Sequence, residues 1–383
     1  MGLLKDHLIQ MIERDPNKRI DYHTFMETCL YKPGIGYYAK EETKLGREGD
    51  FYTSNHVHPV FPKTIMTFIV DVIKKEKLSP NIIEFGGGDG TFALHALSYV
   101  KQTDPDLYQT MNYSIVETSE HHKKVITEAL KCHQDIVSVV PCLGDVEVGQ
   151  REAIVFSNEL VDAFPVHVVS GKKDGSIEEV CITVKDGELE EVTVPCEHEE
   201  VLEWISSYGP SLPEGHRTEV SVYMRAWIQK VAAWLEKGLV VTIDYGYSND
   251  EKAATFLRDG SLRGYKNHRQ VRNPLAYPGE MDLTAHIQWD AYRKIMKETG
   301  FEEVVHERQS SFLLKAGLFT FLLEVEHLNP FSDKTKQNRA IATLVQPGGI
   351  SDAFEVNVQS KGLSGYYRYD YFTRDPYNPN LAK

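Results

Sequence analysis

The sequence predicts an α/β protein built on a mostly parallel sheet with helices on both faces, and three observations predict it. From about residue 61 to 170, short apolar runs alternate with helix-length amphipathic segments, which is the rhythm of strand–helix–strand units. One of those runs passes directly into the loop Gly86-Gly87-Gly88-Asp89-Gly90 and then into an amphipathic helix. That order lays backbone against a ligand at the carboxyl edge of a sheet. The chain is also long and ordinary in composition, with 383 residues of which 41% are hydrophobic and 26% charged. Such a chain suits two or three structural units, or one large domain with insertions.

Taken in order, residues 1–60 read as a helical lead-in followed by a loop rich in Gly and Tyr. Between Asp21 and Tyr38, the apolar residues Tyr22, Phe25, Met26, Cys29 and Leu30 recur at helical spacing until Pro33 and Gly34 stop the pattern. A helix with one buried face is expected there. Residues 61–170 form the ligand-binding core, with strands at Ile82–Phe85, Tyr113–Val116, Val137–Val140 and Ala153–Phe156. Ala93, Ala96, Leu97 and Val100 line one face of the helix after the first strand. Residues 171–235 break the rhythm and read as an insertion, with a charged turn at Gly171–Gly175 and alternating stretches around Val180–Val184 and Val192–Val194. A helix over Tyr223–Lys237 is expected to end on Gly238 as its cap. Residues 236–383 then return to the sheet through Leu239–Asp244, with a loop-rich region at 260–290 and short strands and helices beyond 300.

Charge and composition exclude several classes. With 42 Lys and Arg against 56 Asp and Glu, the net charge is −14, which works against a phosphate-neutralising grip on nucleic acid. No stretch approaches the roughly 18 to 20 apolar residues of a membrane span. The N-terminal Lys5, Asp6, Glu13, Arg14 and Asp15 interrupt any signal-like apolar run, and their acids are unlike a mitochondrial transit peptide. Five widely spaced cysteines without a C-x-x-C pair point to reduced thiols in a cytoplasmic protein, and no metal is expected. A homodimer is left open.

The glycine loop is the most informative segment. Gly86, Gly88 and Gly90 follow Glu84 in a G-x-G-x-G pattern, whereas a pyrophosphate site has G-x-G-x-x-G. Asp89 at the approach to the helix would repel phosphate, so a cationic or zwitterionic ligand fits better; equally, the glycines can serve a tight turn. Glu117 closes the next strand, where it can accept from ribose hydroxyls or remain a solvated strand-end acid. Asp145, after Gly144, can face an adenine amino group or be an exposed loop acid.

This pattern of an acid, spaced glycines and a second strand-end acid resembles the class I S-adenosylmethionine methyltransferases. Six further stretches are similar, in the same order, to the motifs of the MidA-like family: YKPGIGYY (31–38), GREGDFYTS (46–54), SNELVDAFPV (157–166), GLVVTIDYG (238–246), GSLRGYKNHR (260–269) and GEMDLTAHIQW (279–289). The resemblance covers roughly residues 20–360. It implies S-adenosyl-L-methionine as cofactor, and a doubly wound Rossmann-like sheet with an N-terminal helical lid and an inserted substrate-binding subdomain. The family includes a mitochondrial complex I assembly factor that methylates a protein arginine, which implies a protein substrate with a basic side chain. Asn55 and His56 after Ser54, and Phe61, Pro62 and Lys63 further on, depart from the family pattern where the lid would face the acceptor.

Methyl transfer from a sulfonium is an in-line displacement that needs orientation and a water-poor cleft. An arginine acceptor brings a second positive charge, which carboxylates can hold in a bidentate fork. Glu159 and Asp162 follow the fourth strand and fill that description, with Asn158 placed to hydrogen-bond the acceptor; they can also cap a helix starting there. The Asn-Pro-Pro-aromatic or Asp-Pro-Pro-aromatic tetrapeptide of amino-directed DNA methyltransferases is absent. Tyr37, Tyr38, Gly49, Asp50, Thr53 and Ser54 read as a loop closing over the cofactor, or as turns with the tyrosines packed beneath. Asp282 and His286 are four apart and can share a helical face with a catalytic role, though they are too few to hold a metal. Tyr265, His268 and Arg269 bind the acceptor or lie on the surface, and Asp244 orients a loop. The expected function is a methyltransferase acting on a protein arginine. A small-molecule N- or O-methyltransferase and a non-catalytic cofactor-binding assembly factor are the alternatives.

Overall fold

The computed structural model describes residues 2–40, 58–325, 332–348 and 352–378. They fall into two compact units, one from Met1–Phe51, Glu159–Lys230 and Tyr245–Thr299, the other from Tyr52–Asn158, Val231–Asp244 and Gly300–Lys383.

The second unit carries the large sheet. Its strands are β1 (Asn81–Phe85), β2 (Asn112–Val116), β3 (Val137–Val140), β4 (Glu152–Asn158), β5 (Lys237–Tyr247), β6 (Glu302–Arg308) and β7 (Phe354–Lys361), in the spatial order β6-β7-β5-β4-β1-β2-β3. Neighbours among β1 to β5 run parallel, and β6 runs antiparallel to β7. This is the doubly wound, mostly parallel arrangement that the sequence predicts. All five residues of β1 are buried, as expected for a strand covered on both faces. The helix Thr91–Thr103 buries Ala93, Ala96, Leu97 and Val100, the predicted stripe, together with Phe92, whose ring stacks on Phe156 at 4.5 Å. From β1 the chain moves outward through β2 to β3, then returns to β4 on the other side of β1. The carboxyl end of β1 is therefore the topological switch point, where open α/β sheets bind ligands.

Gly238 corrects one expectation. The helix is Val222–Trp234, and Gly238 is not its cap but the second residue of β5, opposite Ala153 in the ladder. Its φ is 145°, and a Cβ there would stand 1.8 Å from the Ala153 carbonyl oxygen. Only glycine allows the two strands to come this close.

In the other unit, four antiparallel strands lie in the order Arg19–Asp21, Ile177–Lys185, His167–Gly171 and Arg217–Val220, and Glu188–Pro195 pairs with Ile177–Lys185 as a hairpin. The helix Tyr22–Tyr31 is capped by Asp21, which accepts from the Thr24 amide at 2.7 Å. It buries Tyr22, Phe25, Met26, Cys29 and Leu30, the face read from the sequence, against Val166, Val168, Val180, Ile182, Met281 and Leu283. The region 260–290 holds more structure than its loop-like composition suggests: Arg269–Val271, Arg263–Lys266 and Asp282–Thr284 form a small antiparallel sheet. Its hairpin turns through Asn267 and His268, both left-handed at φ 50° and 59°. A two-residue turn of this hand usually announces itself by glycine, and here it does not.

Candidate active site

The glycine loop emerges from the carboxyl end of β1. Gly86, Gly88 and Gly90 have φ of 72°, 57° and 80°, so each has a backbone that a side chain would strain. Gly87 is needed for a different reason, since a Cβ there would meet Ile115 Cγ2 at 2.6 Å. Asp89 accepts from the Thr91 amide at 2.9 Å and opens the helix. The loop thus meets both readings of its glycines, with a turn that needs them and backbone laid bare of side chains at the switch point.

Two acids flank it. Glu84 is buried on β1, and the Tyr113 hydroxyl donates to its Oε2 at 2.9 Å. Burial pushes its carboxyl up to about 7; the Tyr113 hydrogen bond opposes this, and Asp89 and Glu117 add to it. An acid poised there gains from a cationic ligand, which favours its charged form. Glu117, buried at the end of β2, accepts from the Ser119 amide at 2.7 Å through Oε1, while Oε2 lies 3.7 Å from His122 Nδ1. β1 and β2 are adjacent and parallel, so the two acids leave the same edge of the sheet. Asp145 is exposed at the end of a 3-10 turn, where Cys142 Sγ donates to it at 3.0 Å. Buried acids and an unhindered backbone fit a ligand with a cationic amino acid end and a ribose. Thr53, Ser54, Gly49 and Asp50 lie outside the described residues.

The chain leaves the large-sheet unit after Asn158. Glu159, next in sequence, is left-handed at φ 52°, a conformation that costs a non-glycine residue on the order of 1 kcal/mol and is concentrated at functional sites. No regular helix follows for Glu159 or Asp162 to cap; Val161–Ala163 is a single 3-10 turn. Asp162 is buried within it, and its backbone oxygen accepts from Ala285 at 2.8 Å. Burial holds its carboxyl well above the usual carboxylate range, against the pull of a hydrogen bond from the Tyr245 hydroxyl.

Asp282 lies in the same unit, buried on the strand Asp282–Thr284, and Tyr38 donates to its Oδ1 at 2.8 Å. Tyr38 stacks with Tyr31 at 5.6 Å, and Tyr31 in turn donates to the Ala163 carbonyl at 2.8 Å. Tyr265 pairs with Asp282 across the small sheet, and both Asp162 and Asp282 help to raise its pKa, after burial. Two buried acids and a set of tyrosines are therefore assembled from residues 31–38, 162, 245, 265 and 282.

Other expected positions fall elsewhere. Tyr37 is fully buried in the core, which is the packing alternative rather than a lid. Asp282 and His286 do not share a helical face, because Asp282 is on a strand and His286 follows it. His286 stacks on Tyr247 at 4.7 Å, and burial pushes its imidazole down to about 3, so it is neutral. His268 is exposed in the hairpin turn, and Asp244 is wholly buried. Tyr245 was not singled out from the sequence, because nothing local marks a tyrosine at a strand end. Lys252 and Glu219 were missed for the same reason. They form a buried ion pair at 2.8 Å in which Glu219 also accepts from the Ser261 hydroxyl at 2.8 Å and the Leu262 amide at 2.9 Å.

Comparison with known proteins gives one consistent answer. Residues 65–306 match the model of a family described as S-adenosyl-L-methionine-dependent methyltransferases. The protein arginine methyltransferase NDUFAF7 of Danio rerio mitochondria is 24% identical over 92% of this chain and 86% of its own length. Its Drosophila melanogaster homologue is 27% identical over 72% of this chain and 66% of its own. Among solved structures, a candidate methyl transferase from Burkholderia thailandensis bound to S-adenosyl-homocysteine superposes with a TM-score of 0.84 at 25% identity, covering 97% of this chain and 94% of that one.

Proposed function

The chain belongs to this family of S-adenosyl-L-methionine-dependent methyltransferases, and on that premise we propose that its acceptor is an arginine side chain of a protein. The observation that carries the reading is the pair of buried carboxylates, Asp162 and Asp282, in one cluster of tyrosines. A guanidinium offers a planar fork of N–H donors. Such donors are received by the two oxygens of a carboxylate. The names of the relatives support the same acceptor class.

When bound, the cofactor supplies an electrophilic methyl on a sulfonium. The chain's own part is to hold the acceptor and manage one proton, because a guanidinium that gains a methyl remains a cation and must release a proton from the attacking nitrogen. Asp162, whose carboxyl is raised by burial, suits that task, since a base works best with a pKa near the working pH. Glu84 and Glu117, both in the large-sheet unit, are the acids that would orient the cofactor. A cytoplasmic location goes with this proposal, supported by five free thiols, although the named relatives are mitochondrial.

The test is to incubate the purified chain with methyl-labelled S-adenosylmethionine and a protein lysate, followed by mass spectrometry of labelled peptides. Methylarginine that falls about 100-fold in rate with Asp162→Asn is expected. Label confined to small molecules, or to residues other than arginine, would overturn the proposal.

A further inference from the structure

We propose that Asp21, Glu179 and His198 form a binding site for a divalent transition-metal cation of the zinc class. The three residues come from the end of the strand Arg19–Asp21, the third position of the strand Ile177–Lys185 and the position just before the helix Glu199–Tyr208. Each offers one ligand atom, and these atoms all lie within 4.8 Å of one another.

Detail at each residue fits a ligand role. Glu179 is 3% exposed, and its two oxygens have separate partners: Oε1 is 2.8 Å from His167 Nδ1, and Oε2 is 3.5 Å from His198 Nε2. Ligands around a tetrahedral zinc, with bonds of about 2.0 to 2.2 Å, stand about 3.4 Å apart, so the Glu179–His198 spacing needs no adjustment. Asp21 spends Oδ1 on the helix cap, leaving Oδ2 turned toward the cluster at 3.9 Å from His167 Nδ1. His167 acts as the orienting partner of Glu179, the outer hydrogen bond that metal-ligating carboxylates commonly have. His23 stacks on the His167 ring at 5.2 Å and fixes its plane.

Charge points the same way. Among the described residues, the only basic groups within ion-pair distance of the buried Glu179 are the imidazoles of His167 and His198. A buried carboxylate needs a positive partner, and a divalent ion supplies one. One imidazole with two carboxylates selects zinc-like ions over calcium or magnesium, which prefer oxygen alone. A bound ion would tie the N-terminal strand to the inserted hairpin and the helix after it.

The experiment uses the full chain stripped with a chelator, titrated with zinc chloride by calorimetry and followed by thermal melting. One zinc per chain and a rise in Tm are expected, with affinity falling at least tenfold in both His198→Ala and Glu179→Gln. His198 is half exposed, so its variant tests binding without disturbing the core. No stoichiometric zinc binding, zinc binding unchanged in both variants, or equal affinity for calcium would each overturn the assignment.

Discussion

The Tyr38 hydroxyl donates to Asp282 Oδ1 at 2.8 Å across 244 positions of sequence. It links the 3-10 turn Tyr37–Ala39, which follows the helix Tyr22–Tyr31, to the small three-stranded sheet and holds a buried acid in one orientation.

Tyr38→Phe removes that donor while keeping the ring. Loss of one hydrogen bond to a buried carboxylate costs about 1 to 3 kcal/mol, so Tm should fall. The transfer rate should fall further than stability explains, with S-adenosylmethionine affinity unchanged. Calorimetry and a methyl-transfer assay on one preparation separate the two; equal activity would show that Asp282 needs no fixed orientation.

Glu84 makes cofactor affinity depend on pH. Its carboxyl is raised to about 7 by burial, so the neutral form prevails below that pH and the anion above it. A cationic ligand favours the anion, and affinity should therefore increase as pH rises from 6 to 8. Below pH 7, binding should release a proton. Titration in two buffers of different ionisation enthalpy reports that proton, and Glu84→Gln should flatten the pH profile.

Glu159 separates strain from chemistry. Its left-handed φ of 52° means that Glu159→Gly should raise stability by up to about 1 kcal/mol. If the carboxylate serves the acceptor, the same change lowers transfer tenfold or more. A glycine variant that is both more stable and fully active would reduce Glu159 to a turn residue.

Lys252→Met should destabilise by about 3 to 5 kcal/mol, because it leaves Glu219 buried and uncompensated. The Glu219 carboxyl is held down at about 2; burial opposes the shift, while Lys252 and the Ser261 hydrogen bonds outweigh it. A depressed acid contributes stability that is complete above its unfolded pKa, near 4.5, and lost as pH falls toward 2. Urea melts at pH 7 and pH 3 should therefore differ less in Lys252→Met than in the parent protein.

How much of this was legible in the sequence varies with the distance over which each feature acts. Local patterns carried well. The run NIIEF followed by spaced glycines was enough for a buried strand and a turn, and residues 81–90 have that form. The stripe from Tyr22 to Leu30 was likewise enough for the helix face. Features without a local mark were not legible. The turn at Asn267–His268 has no glycine, and Gly238 resembled a helix cap because its real constraint, the carbonyl of Ala153, lies 85 positions away.

The sequence by itself determined the core strands along the chain and the acids beside the glycine loop, because hydrophobic period and glycine spacing act within a few residues, and its ordered motifs carried the resemblance to the family. Tertiary structure decided which distant side chains meet. It joined Tyr38 to Asp282, Lys252 to Glu219, and Asp21 and His198 to Glu179. These partnerships rest on burial, where an unpaired polar group is costly. That cost exists only once the chain has folded, so no spacing in the sequence records it.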